Sequence, residues 1–177
     1  MRPSARFQPP LDSATLERLA LRYVERFATT RARLTAYLER KVQARGWAGS
    51  PVDVAELADR LAALGYIDDR SFGEARAAAM ARRGLGARRV AGALRQAGIE
   101  AEDAEAIAPA IAARAIDAAL RFAAKRRIGP YGTVIADRAI QQKQLASMIR
   151  GGHSFDLARR IVAMAPGEDT ENLDEAR

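Results

Sequence analysis

The sequence contains no cysteine and a single histidine, His153, among its 177 residues. The first absence removes disulfides and thiolate chemistry, and the second leaves metal centres and Ser-His catalysis almost without material. No catalytic constellation, metal or cofactor is therefore expected, and an enzyme is the weakest of the functional readings. Aromatic residues make up only 6% of the chain, and the β-branched residues are scattered rather than set in alternating runs, which argues against sheet. No apolar run approaches the length of a membrane span, and Met1 to Pro10 is basic and proline-containing without an apolar signal core. A cytoplasmic protein with no membrane contact is expected.

What is present is alanine and leucine, within a composition that is 49% hydrophobic, enough to bury a core and biased toward helix. The formal charge is +7. The segment from Pro166 onward holds five acids against Arg177 alone, so the remainder carries 28 basic and 17 acidic residues, +11. A basic body of this kind has a field suited to phosphates or to acidic protein surfaces.

Apolar residues recur at helical spacing along the whole chain. After Pro9-Pro10, Asp12 or Ser13 can cap a helix with Leu16, Leu19, Ala20, Tyr23 and Phe27 on one stripe. Thr30 can cap a second, with Leu34, Tyr37, Leu38 and Val42 inward, ending at Gly46. Pro51 and Asp53 open a third, with Glu56 placed for a capping box, which Gly65 stops. Ser71 with Glu74 suggests another capping box for a helix beginning at Phe72 and running to Arg83. Gly84 and Gly86 break the chain, Val90 and Leu94 mark the next stripe, and Gly98 ends it. A short helix around Asp103 to Ala108 is expected to kink or end at Pro109. A third set contains Ile116, Ala119, Leu120 and Ala123, a Gly129-Pro130 break, a helix around Ala136 to Ile149, and a last helix capped by Ser154.

These sets echo one another. Ala20-Leu21-Arg22-Tyr23 matches Ala119-Leu120-Arg121-Phe122. Thr30, Leu34, Leu38 and Gly46-Trp47 correspond to Gly86, Val90, Leu94 and Gly98-Ile99, and similar spacing returns at Leu145, Ile149 and Gly152-His153. The pattern predicts an all-α fold of tandem three-helix repeats, of roughly 45 residues each, forming an elongated, curved array. The expected organisation is a basic flexible arm over 1–11, repeats over 12–69, 70–111 and 112–165, and an acidic, disordered tail over 166–177.

Between the first two sets, Leu64-Gly65-Tyr66-Ile67-Asp68-Asp69-Arg70-Ser71-Phe72 resembles the Gly-Tyr-aliphatic-Asp-Asp-x-x-Phe motif of the RecX family. The Ala-Leu-Arg-Tyr helix, the Arg-rich second helix, the segment from Gly84 to Ile99 and the order of breaks are also similar to that family, over about Leu16 to Met164. The resemblance implies a regulator that binds in the groove of RecA recombinase filaments on DNA. It further implies restraint of their ATP hydrolysis, strand exchange and co-protease activity within recombination, DNA repair and the SOS response. Departures lie in the third set, where His153 stands at a position the family more often fills with an aromatic and the Gly129-Pro130-Tyr131-Gly132 loop is longer.

Within the motif, Gly65, Tyr66, Ile67, Asp68, Asp69 and Phe72 read as structural: the two carboxylates cap and orient the next helix, and Tyr66 and Phe72 pin the repeat junction. Tyr66 is expected to be buried. Filament- or DNA-binding candidates are Arg82, Arg83, Arg88, Arg89, Arg95, Lys125, Arg126 and Arg127, since guanidinium forks suit both phosphates and carboxylates. The same residues near helix C-termini also complement the helix dipole. Trp47 reads as covering an apolar seam in preference to stacking on a base, and His153 as a packing or capping residue at a helix junction. The expected partners are the RecA filament and single- or double-stranded DNA bound without sequence preference, by a monomer. The alternative is an independent, sequence-nonspecific or helix-turn-helix DNA-binding protein reading base edges with Gln141-Gln142-Lys143-Gln144.

Overall fold

The computed structural model describes residues 9–50 and 52–173. Pro51, read above as opening a helix, lies outside the described residues, as do most of the N-terminal arm and the last four residues of the acidic tail. Among the described residues the chain is helical, with one isolated parallel bridge between Leu11 and Trp47. The helices are α1 (Ser13–Arg26), α2 (Arg31–Arg45), α3 (Val54–Ala63), α4 (Asp69–Arg82), α5 (Ala87–Gln96), α6 (Ala101–Ala112), α7 (Ala115–Arg126), α8 (Arg138–Arg150) and α9 (Phe155–Ala163). They divide into two compact units. One runs to Phe72 and includes Ala97–Ile99; the other comprises Gly73–Gln96 and everything from Glu100.

In the first unit, α1, α2 and α3 bury Leu16, Ala20, Leu34, Leu38, Leu57 and Leu61 in a common core, each large side chain contributing about 1.5–3 kcal/mol by leaving water. The caps are those the sequence offers: the Asp12, Thr30 and Asp53 side chains accept from the N–H groups of Thr15, Arg33, and Ala55 with Glu56, satisfying donors that the first helical turn leaves free. Leu11 does not belong to a flexible arm. It is fully buried, its N–H donates to the Gly46 carbonyl, and its carbonyl accepts from Ala48.

The family motif closes this unit. Gly65 sits at φ +80°, and Gly65 and Tyr66 donate to the carbonyls of Ala62 and Leu61, a left-handed helix stop that favours glycine. Tyr66 is 52% exposed, against the expectation of burial; Ile67, at 5%, is the residue that enters the core. The phenol has water available, whereas the aliphatic next to it has no other way to shed its surface. Helix α4 also begins three residues earlier than the Ser71 signal predicts. Asp68 is the capping residue, accepting from the N–H and hydroxyl of Ser71, and these bonds hold its carboxyl below the usual carboxylate range. Asp69 turns the other way and is buried, accepting from the Arg31 backbone N–H at 2.9 Å and from Arg31 Nε at 3.2 Å. Two adjacent acids thereby serve two helices, Asp68 the first turn of α4 and Asp69 the first turn of α2.

The second unit has its core where α7, α8 and α9 meet, around Phe122, Ile128, Met148 and Ile161. Helix α6 does not end before Pro109 but continues to Ala112; Pro109 is exposed, so the carbonyl that its missing N–H leaves free on the preceding turn can turn to water. The acidic tail is folded through its described part. Residues Glu171–Leu173 form a 3-10 turn, and Leu173 is buried against α9 and its neighbours. An apolar anchor inside the acidic run overrides its composition.

Candidate functional site

Of the eight basic residues singled out in the sequence, six lie within α4, α5 and α7, and Arg83 and Arg127 directly follow α4 and α7; all eight are exposed and all belong to the second unit. Lys125 Nζ donates to the Arg83 carbonyl at 3.0 Å, tying the end of α7 to the end of α4. Gly84 is packed against the backbone of Phe122, leaving no space for a Cβ, and the Arg126 guanidinium stands 4.8 Å from the Phe122 ring centre. On α5, Gly86 and Arg88 donate their N–H groups to the carbonyls of Gly151 and Gly152, and Gly152 packs against the Arg89 backbone and side-chain stem. Arg83, Arg89, Lys125 and Arg126 thus surround one buried node. Arg88 and Arg95 are seven residues apart on α5, two turns and about 10 Å along one helix face.

The node itself is His153. It is 2% exposed, its Nε2 lies 3.2 Å from the Gly84 carbonyl, and its ring meets Phe122 edge-on at 5.1 Å. A carbonyl only accepts, so Nε2 carries the hydrogen, and burial lowers the pKa of the ring below its ordinary value. His153 is therefore a neutral packing residue. It adds no charge to the surrounding cations and has no geometry for catalysis.

No carboxylate pairs with any of the eight cations among the described residues, so their charge is available to a partner. The structure does not bring all eight together. Arg127, in the left-handed conformation at φ 54°, lines a separate cleft of about 160 Å³ with Val134, Ile135, Ile140 and Met164. In α8, Gln142 and Lys143 are exposed, whereas Gln141 and Gln144 are half-buried along that same cleft, so the polar run is not one continuous reading face. No group of His, Asp and Glu among the described residues is arranged to hold a metal ion. No helix among them is long and apolar enough to cross a membrane.

A second cationic surface, in the first unit, was not singled out by the sequence. Tyr23 and Phe27, read as part of the inward stripe of α1, sit 5.3 Å apart, and Tyr23 stacks on Tyr37 of α2 at 4.3 Å. Phe27 is 49% exposed. Arg26 lies 5.3 Å from the Phe27 ring, Lys41 5.4 Å from Tyr37, and Arg33 5.2 Å from Phe72. The signal is present in the sequence as rings and cations at i, i+3 and i+4 on two adjacent helices, but only pairing of those helices shows that the rings converge. Trp47 takes no part: it is half-buried against the unit's core, and its indole N–H donates to the Ser50 carbonyl at 2.6 Å.

No protein-family model matches the chain. It is 32% identical over 162 residues to the regulatory protein RecX of Myxococcus xanthus, an alignment covering 85% of this chain and 86% of that one. A second similarity, to the regulatory protein RecX of Agrobacterium fabrum, is 36% over 59 residues and covers 33% of this chain. The fold is similar to the crystal structure of RecX from Lactobacillus salivarius, with a TM-score of 0.62 at 18% identity, over 84% of this chain and 93% of that one.

Proposed function

The chain belongs to the RecX family of regulatory proteins, and from that premise we propose that it binds RecA recombinase filaments on DNA and restrains their ATP hydrolysis, strand exchange and co-protease activity. The observation that carries this reading is the similarity to a regulatory protein along most of both chains. The unpaired cations around the His153 node supply a contact surface compatible with it, because arginine forks bind phosphates and surface carboxylates alike. The reading places the protein in the cytoplasm as a non-catalytic monomer, acting in recombination and the SOS response. It takes the successive helix triplets over 12–69, 70–111 and 112–165 as the repeat units that follow the filament.

Independent DNA binding through a helix-turn-helix gains no support from α8, half of whose glutamine-rich run faces a cleft. Titration of this protein into a single-stranded-DNA-dependent ATPase assay of the cognate recombinase tests the proposal. Inhibition below an equal molar ratio, without competition for free DNA, is the expected result. An unaffected rate on a filament that demonstrably carries the protein would overturn it.

A further inference from the structure

Four rings of the first unit are interleaved with cations. Phe72 is covered by Arg33, Tyr37 by Lys41 and Phe27 by Arg26, and Tyr23 joins Tyr37 to Phe27. Arg33, Tyr37 and Lys41 are spaced four residues apart and so share one face of α2. From Ser13 to Arg45, α1, α2 and their connection carry eight basic residues and three acids. Of those acids, Glu17 is engaged by Arg60 at 2.8 Å. Arg26 and Lys41 have no carboxylate partner among the described residues. They rest on rings instead.

A cation on an aromatic face with no acid to neutralise it is a replaceable occupant. A planar base can take its place on the ring, where stacking is tolerant of base identity, and the displaced guanidinium or ammonium is then free to meet the adjoining phosphate. Phe27 presents the accessible ring; Tyr23 and Tyr37, half-buried against the core, fix its support. A duplex offers phosphates but keeps its base faces covered, so this combination of ring and charge favours a single strand. We propose that the aromatic face of α1 and α2 is a binding site for single-stranded nucleic acid, with Phe27 as stacking platform and Arg26 and Lys41 as phosphate contacts. The site requires no recombinase, so it stands or falls separately from the regulatory reading above.

The test is fluorescence anisotropy of a labelled oligo-dT with the full-length protein over a range of salt, with unlabelled duplex of equal length as competitor. The wild type is expected to bind the single strand in preference to the duplex. Phe27→Ala should weaken binding roughly five- to 150-fold, the range for loss of one stacked base, while Phe27→Trp retains it. Arg26→Gln with Lys41→Gln should lower the slope of log affinity against log salt by about 1.4, for two single-strand phosphates. Phe27 is half-exposed, so a near-wild-type melt of each variant confirms that folding is not what is being measured. Equal affinity for duplex, or wild-type oligo-dT binding by Phe27→Ala, would overturn the proposal. A Phe27→Ala defect confined to filament binding, with free oligonucleotide bound normally, would likewise overturn it and assign the face to a protein contact.

Discussion

At position 153 a neutral imidazole donates to the Gly84 carbonyl and packs edge-on to Phe122, shielded from water. Because its pKa is lowered in the folded state, the unfolded chain takes up a proton near pH 6.5 that the folded chain resists. Stability is complete above that pH and declines as pH falls from about 6.5 toward the folded pKa, with a slope of at most about 1.4 kcal/mol per pH unit. The Asp68 carboxyl, lowered from 3.8 by its Ser71 bonds, contributes in the same direction but only in more acid solution, so the two windows separate. In His153→Phe the ring contact survives and the titration does not; the melting temperature of this variant is expected to change less than that of the wild type between pH 7 and pH 5. Parallel profiles would show that another group controls the window. Asp69 illustrates what the sequence hides at this scale. Its pairing with Asp68 in sequence suggests one shared capping role, but its partner is Arg31, 38 residues away, and a local motif carries no information about which of two adjacent acids will be buried.

Among the elements, α5 shows how the glycine pattern works. Its first turn docks on the turn after α8, with Gly86 and Arg88 donating to Gly151 and Gly152. In the first unit, the start of α2 docks in the corresponding way on Ala97 and Gly98: Thr30 Oγ1 donates to the Ala97 carbonyl at 2.6 Å, and Gly98 lies where a Cβ would strike Ala32. The recurrence of a break residue at the helix start and a glycine at its end is thus a repeated docking geometry. A methyl group at position 86 would collide with the Gly152 backbone, whereas one at Gly92, inside the same helix, would meet nothing nearer than Arg95 at 3.9 Å. Gly86→Ala is therefore expected to destabilise by about 1–3 kcal/mol, and Gly92→Ala to stabilise by about 0.5–1 kcal/mol through helix propensity. Urea unfolding of the pair checks both signs. The sequence reads Gly86 as a break, but only the approach of the turn after α8 shows that a methyl group is excluded there and tolerated at Gly92.

For the molecule as a whole, the body's net positive charge is the property most directly tied to the proposed partner, and α5 carries the exposed pair best placed to test it. Reversal of charge in Arg88→Glu with Arg95→Glu is expected to weaken binding to the recombinase filament and, if both residues meet phosphates of the single strand, to lower the salt slope by at least about 1.4. The circular dichroism melt should stay nearly unchanged, since both side chains are exposed. Filament binding equal to wild type would remove this patch from the contact surface. The all-helical fold, most helix caps and family membership were determined by the sequence by itself, because periodicity, capping chemistry and motif spacing are local properties. Tertiary structure alone decided that Tyr66 is exposed and Ile67 buried, that Leu11 and Leu173 are anchored, and that the rings of α1 and α2 converge beneath unpaired cations. Each of these depends on which surfaces meet across tens of residues, and burial there is settled by the partner that arrives to exclude water.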